Sequence, residues 1–208
     1  MPSHTTPVVF VVDDDVSVRE SLELLIRVAG WRAETFASAR EFLACSAVAG
    51  ASCLVLDVSL PDLSGLDLQQ RLSGGRMDIP IIFITGHGDI PMTVQAMKAG
   101  AVEFLTKPLS DDVLLRAIGE AIQRSQAALS REEEMRSLRN RYVSLSRRER
   151  EVLARVVSGR LNKQIAAELR ISEVTVKAHR GHVMRKMSAR SVPDLVTMAA
   201  RLDLATPP

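Results

Sequence analysis

Acidic side chains and their partners stand at four places in the first half of the sequence, each at the end of an apolar run. Asp13, Asp14 and Asp15 follow VVFVV, Asp57 closes CLVLD, Thr85 and Gly86 follow IIFI, and Lys107-Pro108 follows EFLT. Several carboxylates in one crevice repel one another and need a cation. A small set of hard oxygen ligands suits Mg2+, which keeps part of its water shell. A carboxylate can also attack phosphorus and become an aspartyl phosphate. A lysine ammonium would stabilise the phosphoryl oxygens, a threonine hydroxyl would donate to them, and a glycine leaves room beside it. Taken singly, each piece is weak: an aspartate after a strand is most often a helix cap. All four at successive strand ends point to phosphoryl chemistry.

The elements that must gather these residues read as a repeated strand–helix pattern. Val8–Val12 is continuous apolar, as a strand buried on both faces is. Residues 17–29 follow with helical spacing, Val18, Leu22, Leu25, Ile26 and Ala29 sharing a face, and Gly30 stops them. Residues 32–36 read as an outer strand, 39–47 as a helix, 53–56 as a second buried strand, and 64–72 as a helix broken by Gly74 and Gly75. Ile81–Thr85 is a third strong strand, 91–99 a helix ended by Gly100, and Glu103–Thr106 a short strand. Ser110 then caps a long helix that begins near Asp111. Five such units in ~120 residues predict an α/β, flavodoxin-like, doubly wound domain with a five-stranded parallel sheet. Ligands of that fold sit outside the carboxyl ends of the strands, where the acids, Thr85 and Lys107 stand.

The strings VVFVVDDD, CLVLDVSLPDLSG, IIFITGHGD and AMKAGAVEFLTKP resemble the receiver domains of bacterial two-component response regulators. ITGHGDIPMTVQAMKAGA is similar to the FixJ-type subgroup. The likeness covers about residues 7–123 and implies that Asp57 is the phospho-acceptor. It also implies that Asp13 and Asp14 hold Mg2+ together with Asp57 and the backbone carbonyl of Ser59. Thr85 and Lys107 would contact the phosphoryl group, Phe104 would be the switch aromatic, and the Lys107–Pro108 bond would be cis. Asp15 is not required by the pattern and is read as a helix cap. His87, two residues after Thr85, is a candidate influence on phosphoryl lifetime.

Charge separates the two halves. Residues 1–123 hold 16 acidic against 9 basic residues, about −7, and residues 143–208 hold 6 against 13, about +7. A basic module points toward polyanions, nucleic acid first among them. In that module Ser146 and Glu149 form a capping box that opens a helix burying Val152, Leu153, Val156 and Val157, ended by Gly159. A short helix over 163–169 uses Ile165, Ala166 and Leu169, and the turn Arg170-Ile171-Ser172 leads into a third helix. On a wheel Val176, Val183 and Met187 of the third helix face inward. Val174, Ala178, Gly181 and Arg185 lie opposite, flanked by Lys177 and His182. Small residues on an exposed face let a helix sit close to a partner such as the DNA major groove, where lysine can read guanine and alanine can meet a thymine methyl. Asn162, Lys163, Thr175, His179 and Lys186 lie where phosphates could be bound. His179 and His182 have no third ligand at a supporting spacing, so no metal pair is read there.

The segments LSRREREVL, LNKQIAAEL and ISEVTVKAHRGHVMRKM resemble the LuxR-type helix-turn-helix output domain, over about 144–205. The resemblance implies that Lys177, Ala178 and Gly181 face bases, and that a last helix over 193–200 pairs two output domains. The expected division is a receiver over 1–123, a helical linker over 124–142 and a small all-α DNA-binding domain over 143–208. Residues 123–142 could be one rigid helix or a tether.

The whole reads as a cytoplasmic regulator rather than an enzyme. Its expected partners are a sensor histidine kinase, double-stranded promoter DNA, a second copy on phosphorylation, and RNA polymerase. No apolar run reaches the ~20 residues a membrane span needs. The start MPSHTTPVVF lacks a signal-peptide core, and Cys45 and Cys53 suit a reducing compartment. A phosphatase reading, with Asp13 as nucleophile in a D-x-D-x-[ST] string, leaves Asp57, Thr85 and the basic half unexplained. A receiver that is never phosphorylated leaves the intact acid set and Lys107 without purpose.

Overall fold

Three apolar runs and two mixed outer segments become one parallel sheet: β1 (Val8–Val12), β2 (Arg32–Phe36), β3 (Ser52–Asp57), β4 (Ile81–Thr85) and β5 (Glu103–Thr106). The strand order is β2-β1-β3-β4-β5. This is the flavodoxin-like order, with each pair of successive parallel strands joined by a crossover that carries a helix. The computed structural model describes residues 6–45, 50–73, 79–86 and 88–204.

Alternation along the strands divides the apolar side chains between two cores. Val9, Val11, Val55, Ile82 and Ile84 pack with Leu22 and Ile26 of α1 (Val16–Val28) and with Leu114, Ile118 and Ile122 of α5 (Asp111–Val143). Phe10, Val12, Leu54, Leu56 and Phe83 pack on the other face. There they meet Phe42 of α2 (Ala39–Ala44), Leu68 and Leu72 of α3 (Gly65–Ser73) and Ala96 of α4 (Ile90–Lys98). Both faces of β1, β3 and β4 are thus covered, which is why these strands read as unbroken apolar runs.

Helix ends follow local chemistry. Asp15 is the N-cap of α1, its carboxylate accepting from the Ser17 and Val18 amides. α4 starts one residue earlier than its spacing predicts because Asp89 caps it, accepting from the Met92 amide at 2.8 Å, and Pro91 fits a first turn where its missing N–H costs nothing. α2 ends at Ala44 rather than 47, and the Gly74-Gly75 break and His87 lie outside the described residues.

The chain folds as two units, Met1–Leu129 and Ser130–Pro208. α5 is one helix of 33 residues, and residues 123–142 lie within it. The second unit is all helical: α6 (Arg147–Val157), α7 (Asn162–Leu169), α8 (Glu173–Met187) and α9 (Val192–Arg201). Its core is Leu138, Leu145, Val152, Leu153, Val156, Ile165, Leu169, Val176, Val183, Met187 and Leu195. Leu138 comes from the end of α5, so the helix beyond the first unit carries core side chains of the second. No helix among the described residues is long and apolar enough to cross a membrane.

Candidate functional site

β1 and β3 are hydrogen-bonded neighbours with Val12 beside Leu56, so Asp13 and Asp57 leave the sheet side by side. Asp13 is fully buried, and Asp57 is nearly so at 5 % exposure. Lys107, just beyond β5, bridges them: its Nζ donates to Asp13 Oδ2 and to Asp57 Oδ2, each at 2.7 Å. The second oxygens are met by backbone amides, Asp15 N on Asp13 Oδ1 at 2.9 Å and Ser59 N on Asp57 Oδ1 at 2.9 Å. Asp14 is exposed, and one oxygen from each of Asp13, Asp14 and Asp57 lies within 4.8 Å of the others.

Burial drives the electrostatics. It pushes the Asp13 carboxyl above the usual carboxylate range, against the hydrogen bond from Lys107 and the Asp15 amide, which work the other way. For Lys107, burial would depress the ammonium, but hydrogen bonds to Asp13 and Asp57 and their charges outweigh it and hold the group above its ordinary value. Three carboxylates against one ammonium leave negative charge uncompensated. The donors are all oxygen, so the set fits a hard divalent cation.

The remaining strand ends converge on this cluster. Thr85 is fully buried at the end of β4, and its carbonyl accepts from the Lys107 amide at 2.7 Å. A Cβ at Gly86 would meet no atom, so the space there is open. The Lys107–Pro108 peptide is cis. Phe104 is half-buried with its ring 6.1 Å from that of Phe83. Gly88 makes room for it, since a Cβ there would come within 3.0 Å of Phe104 Cε1.

Three contributors escape a reading of the strand ends. Arg19 of α1 donates to the Asp13 carbonyl at 2.7 Å. Asp62, in the segment after β3, accepts from the Arg40 amide at 2.9 Å and the Ala39 amide at 3.3 Å, and these bonds hold its carboxyl below the usual range. It thereby ties the segment after Asp57 to the start of α2. Gly65 lies against Asp57 itself: a Cβ would fall 2.5 Å from the Asp57 carbonyl oxygen and 3.1 Å from Val58 Cα. A glycine opening a helix eight residues after Asp57 is the sequence signal for that approach.

In the second unit, α7, a left-handed Arg170 (φ 53°) and α8 form the helix-turn-helix. Val176, Val183 and Met187 are buried, while Val174, Lys177, Ala178, Gly181, His182 and Arg185 are exposed. Other residues of this set hold α8 in place. Ser172 caps it, accepting from the Thr175 amide at 3.1 Å, with the two hydroxyls 2.8 Å apart. Arg180 donates to Asn162 of α7. Lys186 donates to Glu149 Oε2 at 2.7 Å and lies 3.3 Å from the Ser144 carbonyl, and His182 Nδ1 stands 3.5 Å from Glu149 Oε1. Glu149 is buried, and the Lys186 bond, with that of the Ser146 amide, holds its carboxyl down to about 2. Lys163 is exposed, and His179 is half-buried with its Nδ1 unpartnered by any described protein atom.

Known proteins share both units. Residues 9–119 match the response regulator receiver domain, and residues 143–199 match the LuxR family of bacterial regulatory proteins. Nodulation protein W of Bradyrhizobium diazoefficiens is 50 % identical over 98 % of this chain and 89 % of its own length. Transcriptional regulatory protein FixJ of Rhizobium meliloti is 45 % identical over 92 % of this chain and 94 % of its own. The solved structure of the response regulator StyR superposes with a TM-score of 0.86 at 48 % identity, covering 95 % of this chain and 100 % of that one. The chain therefore belongs to the response regulators, as a transcriptional regulator that joins a receiver domain to a LuxR-type DNA-binding domain.

Proposed function

We propose that Asp57 accepts a phosphoryl group from a sensor histidine kinase, and that this modification promotes binding of promoter DNA through α8. The observation that carries the reading is the Lys107 ammonium held between Asp13 and Asp57 at 2.7 Å from each, beside an exposed Asp14. In the transfer an Asp57 oxygen attacks phosphorus, the phosphorus–nitrogen bond to the donor histidine breaks, and an acyl phosphate forms. Asp13, Asp14, Asp57 and the Ser59 carbonyl would hold Mg2+, which would supply positive charge against the phosphoryl oxygens. Lys107 exchanges its bond to Asp57 for one to a phosphoryl oxygen while keeping Asp13. Thr85 turns its hydroxyl to the new group, and Phe104 moves into the space this vacates.

The surface that changes is α4, β5 and α5. Ile90, Val94 and Met97, spaced along one side of α4, are exposed. An uncovered apolar stripe beside the switch aromatic favours pairing with a second copy. A dimer presents two α8 helices to a near-palindromic site. Lys177, Ala178, Gly181 and Arg185 then meet base edges. Asn162, Lys163, Thr175, His179, His182 and Lys186 stand beside phosphates, with Lys186, Asn162 and Thr175 also bracing α8. RNA polymerase is the further partner through which bound protein acts on transcription. In this reading the receiver spans 1–123, the helical linker 124–142 and the output domain 143–208. The opposite charges of the two halves favour a second form of control, release of an electrostatic hold on the output domain, and high salt would then raise basal DNA binding.

The test is phosphoryl uptake. Incubation with labelled phosphoramidate and Mg2+ should label the wild-type chain and leave Asp57→Ala unlabelled. Light scattering should show a monomer becoming a dimer with beryllofluoride and Mg2+ in the wild type alone. Equal labelling of Asp57→Ala would overturn the acceptor assignment, and an unchanged mass would remove dimerisation as the switch.

A further inference from the structure

α8 carries an exposed apolar side chain that neither the core of the second unit nor the DNA contacts proposed above use. Val174, at the second position of the helix, is 76 % exposed, the largest exposure of any large apolar residue described in the second unit. Single exposed apolar residues are common and by themselves mean little. This one stands where local chemistry favours something else. The first turn of a helix is stabilised by acidic or small polar side chains, and a β-branched residue there gives up rotamer freedom without packing in return. Val174 lies on the face opposite the buried Val176, Val183 and Met187, in line with the exposed Ala178 one turn later; Arg185 continues that line toward the end of the helix, and Lys177 stands beside it. A Cβ at Gly181 would meet no described atom within 4 Å, so the space beside that position is open.

We propose that Val174 is a specificity-determining residue that reads a thymine methyl group in the major groove. The inference rests on the DNA-binding reading of α8 and adds to it. The occupant is set by charge and shape together. Two small apolar side chains with a cation beside them and another farther along the same face suit a polyanion that presents methyl groups at the floor of a groove, which is what thymine offers there. In helix-turn-helix proteins the N-terminal residues of the second helix reach the base edges, and Val174 is in that turn. Val174 and Ala178 are four residues apart, about 6 Å along the axis, or about two base-pair steps. They would therefore touch methyls at distinct positions of one half-site.

The experiment begins with selection from a randomised duplex library by the full-length chain, with beryllofluoride and Mg2+, for the wild type and for Val174→Ser. Each thymine of the wild-type duplex is then replaced singly by deoxyuridine, which removes only the methyl, and binding is measured for wild type and Val174→Ala. One thymine in each half-site should lose about fourfold in affinity for the wild type, the worth of about one buried methyl. The same replacement should leave Val174→Ala unchanged, and Val174→Ser should lose the preference for thymine at that position alone. Because Val174 is exposed, both variants should melt with the wild type. If every deoxyuridine affects both proteins alike, or if Val174→Ser selects the same half-site, Val174 reads no base. If the wild type enriches no sequence at all, the base-reading role of α8 itself fails.

Discussion

The strand-end cluster and the exposed face of α8 put charged side chains to opposite uses. At the cluster, Asp13 and Thr85 are fully buried and Lys107 is locked between two carboxylates. On α8, Lys177 and Arg185 stand in solvent, and the charged groups with partners, Lys186 and Arg180, turn back toward Glu149 and Asn162. Phosphoryl transfer needs its charges set within a fraction of an ångström before the group arrives, so the fold must hold them at a cost in desolvation. A duplex is positioned by many weaker contacts, so in the role proposed for α8 its exposed cations can stay uncommitted while Lys186 and Arg180 brace the helix.

The largest effect that would break this contrast is at Lys107. Lys107→Ala leaves Asp13 and Asp57 facing each other without a cation. We expect the receiver to lose about 4 kcal/mol in metal-free buffer, as when one partner of a buried ion pair is removed, with much of it returned by Mg2+. Trp31, the only tryptophan, lies in the first unit and reports its unfolding in urea. No loss in metal-free buffer would mean that the cluster is not held by Lys107. Gly65→Ala comes next. Its methyl would meet the backbone of Asp57 and Val58, which cannot swing aside, so we expect about 3 kcal/mol of destabilisation and impaired phosphoryl uptake.

Glu149 tests the bracing behind α8. Its folded carboxyl sits at about 2, below the ordinary 4.5. The stability it contributes is therefore complete above the ordinary value and is lost as pH falls toward 2. Between about pH 5 and 2 the wild type should lose about 2 kcal/mol that Glu149→Gln does not lose, a figure lowered because Lys186 is part exposed and water screens it. Helical circular dichroism of the full chain measures the difference. Asp15→Ala has the smallest expected effect. It removes the cap of α1 at a cost of about 1 kcal/mol and leaves phosphoryl uptake intact, although Asp15 adjoins Asp13 and Asp14. Lost uptake would move Asp15 into the site.

Legibility followed the same divide. The five strands could be read, β1, β3 and β4 most plainly because strands buried on both faces are nearly unbroken apolar runs, and the fold brings their carboxyl ends to one edge. Asp13, Asp57, Thr85 and Lys107 announce themselves by standing there. The inward face of α8 was equally plain, since Val176, Val183 and Met187 keep a helical period. Long-range polar contacts carry no such marker. Nothing in the spacing says that Asp62 caps α2, that Arg19 reaches the Asp13 carbonyl, or that Lys186 is tied to Glu149. Each joins residues whose meeting depends on how helices pack. The end of α5 was ambiguous for a related reason. A charged helix-forming segment reads alike as a tether or as a helix, and only the packing of Leu138 shows that it carries core.

The central claim is that charge added at Asp57 governs the binding of DNA by α8. The most direct test is the affinity of the full chain for its selected duplex, at fixed salt, with and without beryllofluoride and Mg2+, in the wild type and in Asp57→Ala. The account predicts at least a roughly tenfold gain for the wild type, within the usual range of coupling between two sites, and none for the variant. Equal affinity in all four cases would contradict it, leaving an acidic cluster and a DNA-binding helix that share a chain without sharing control.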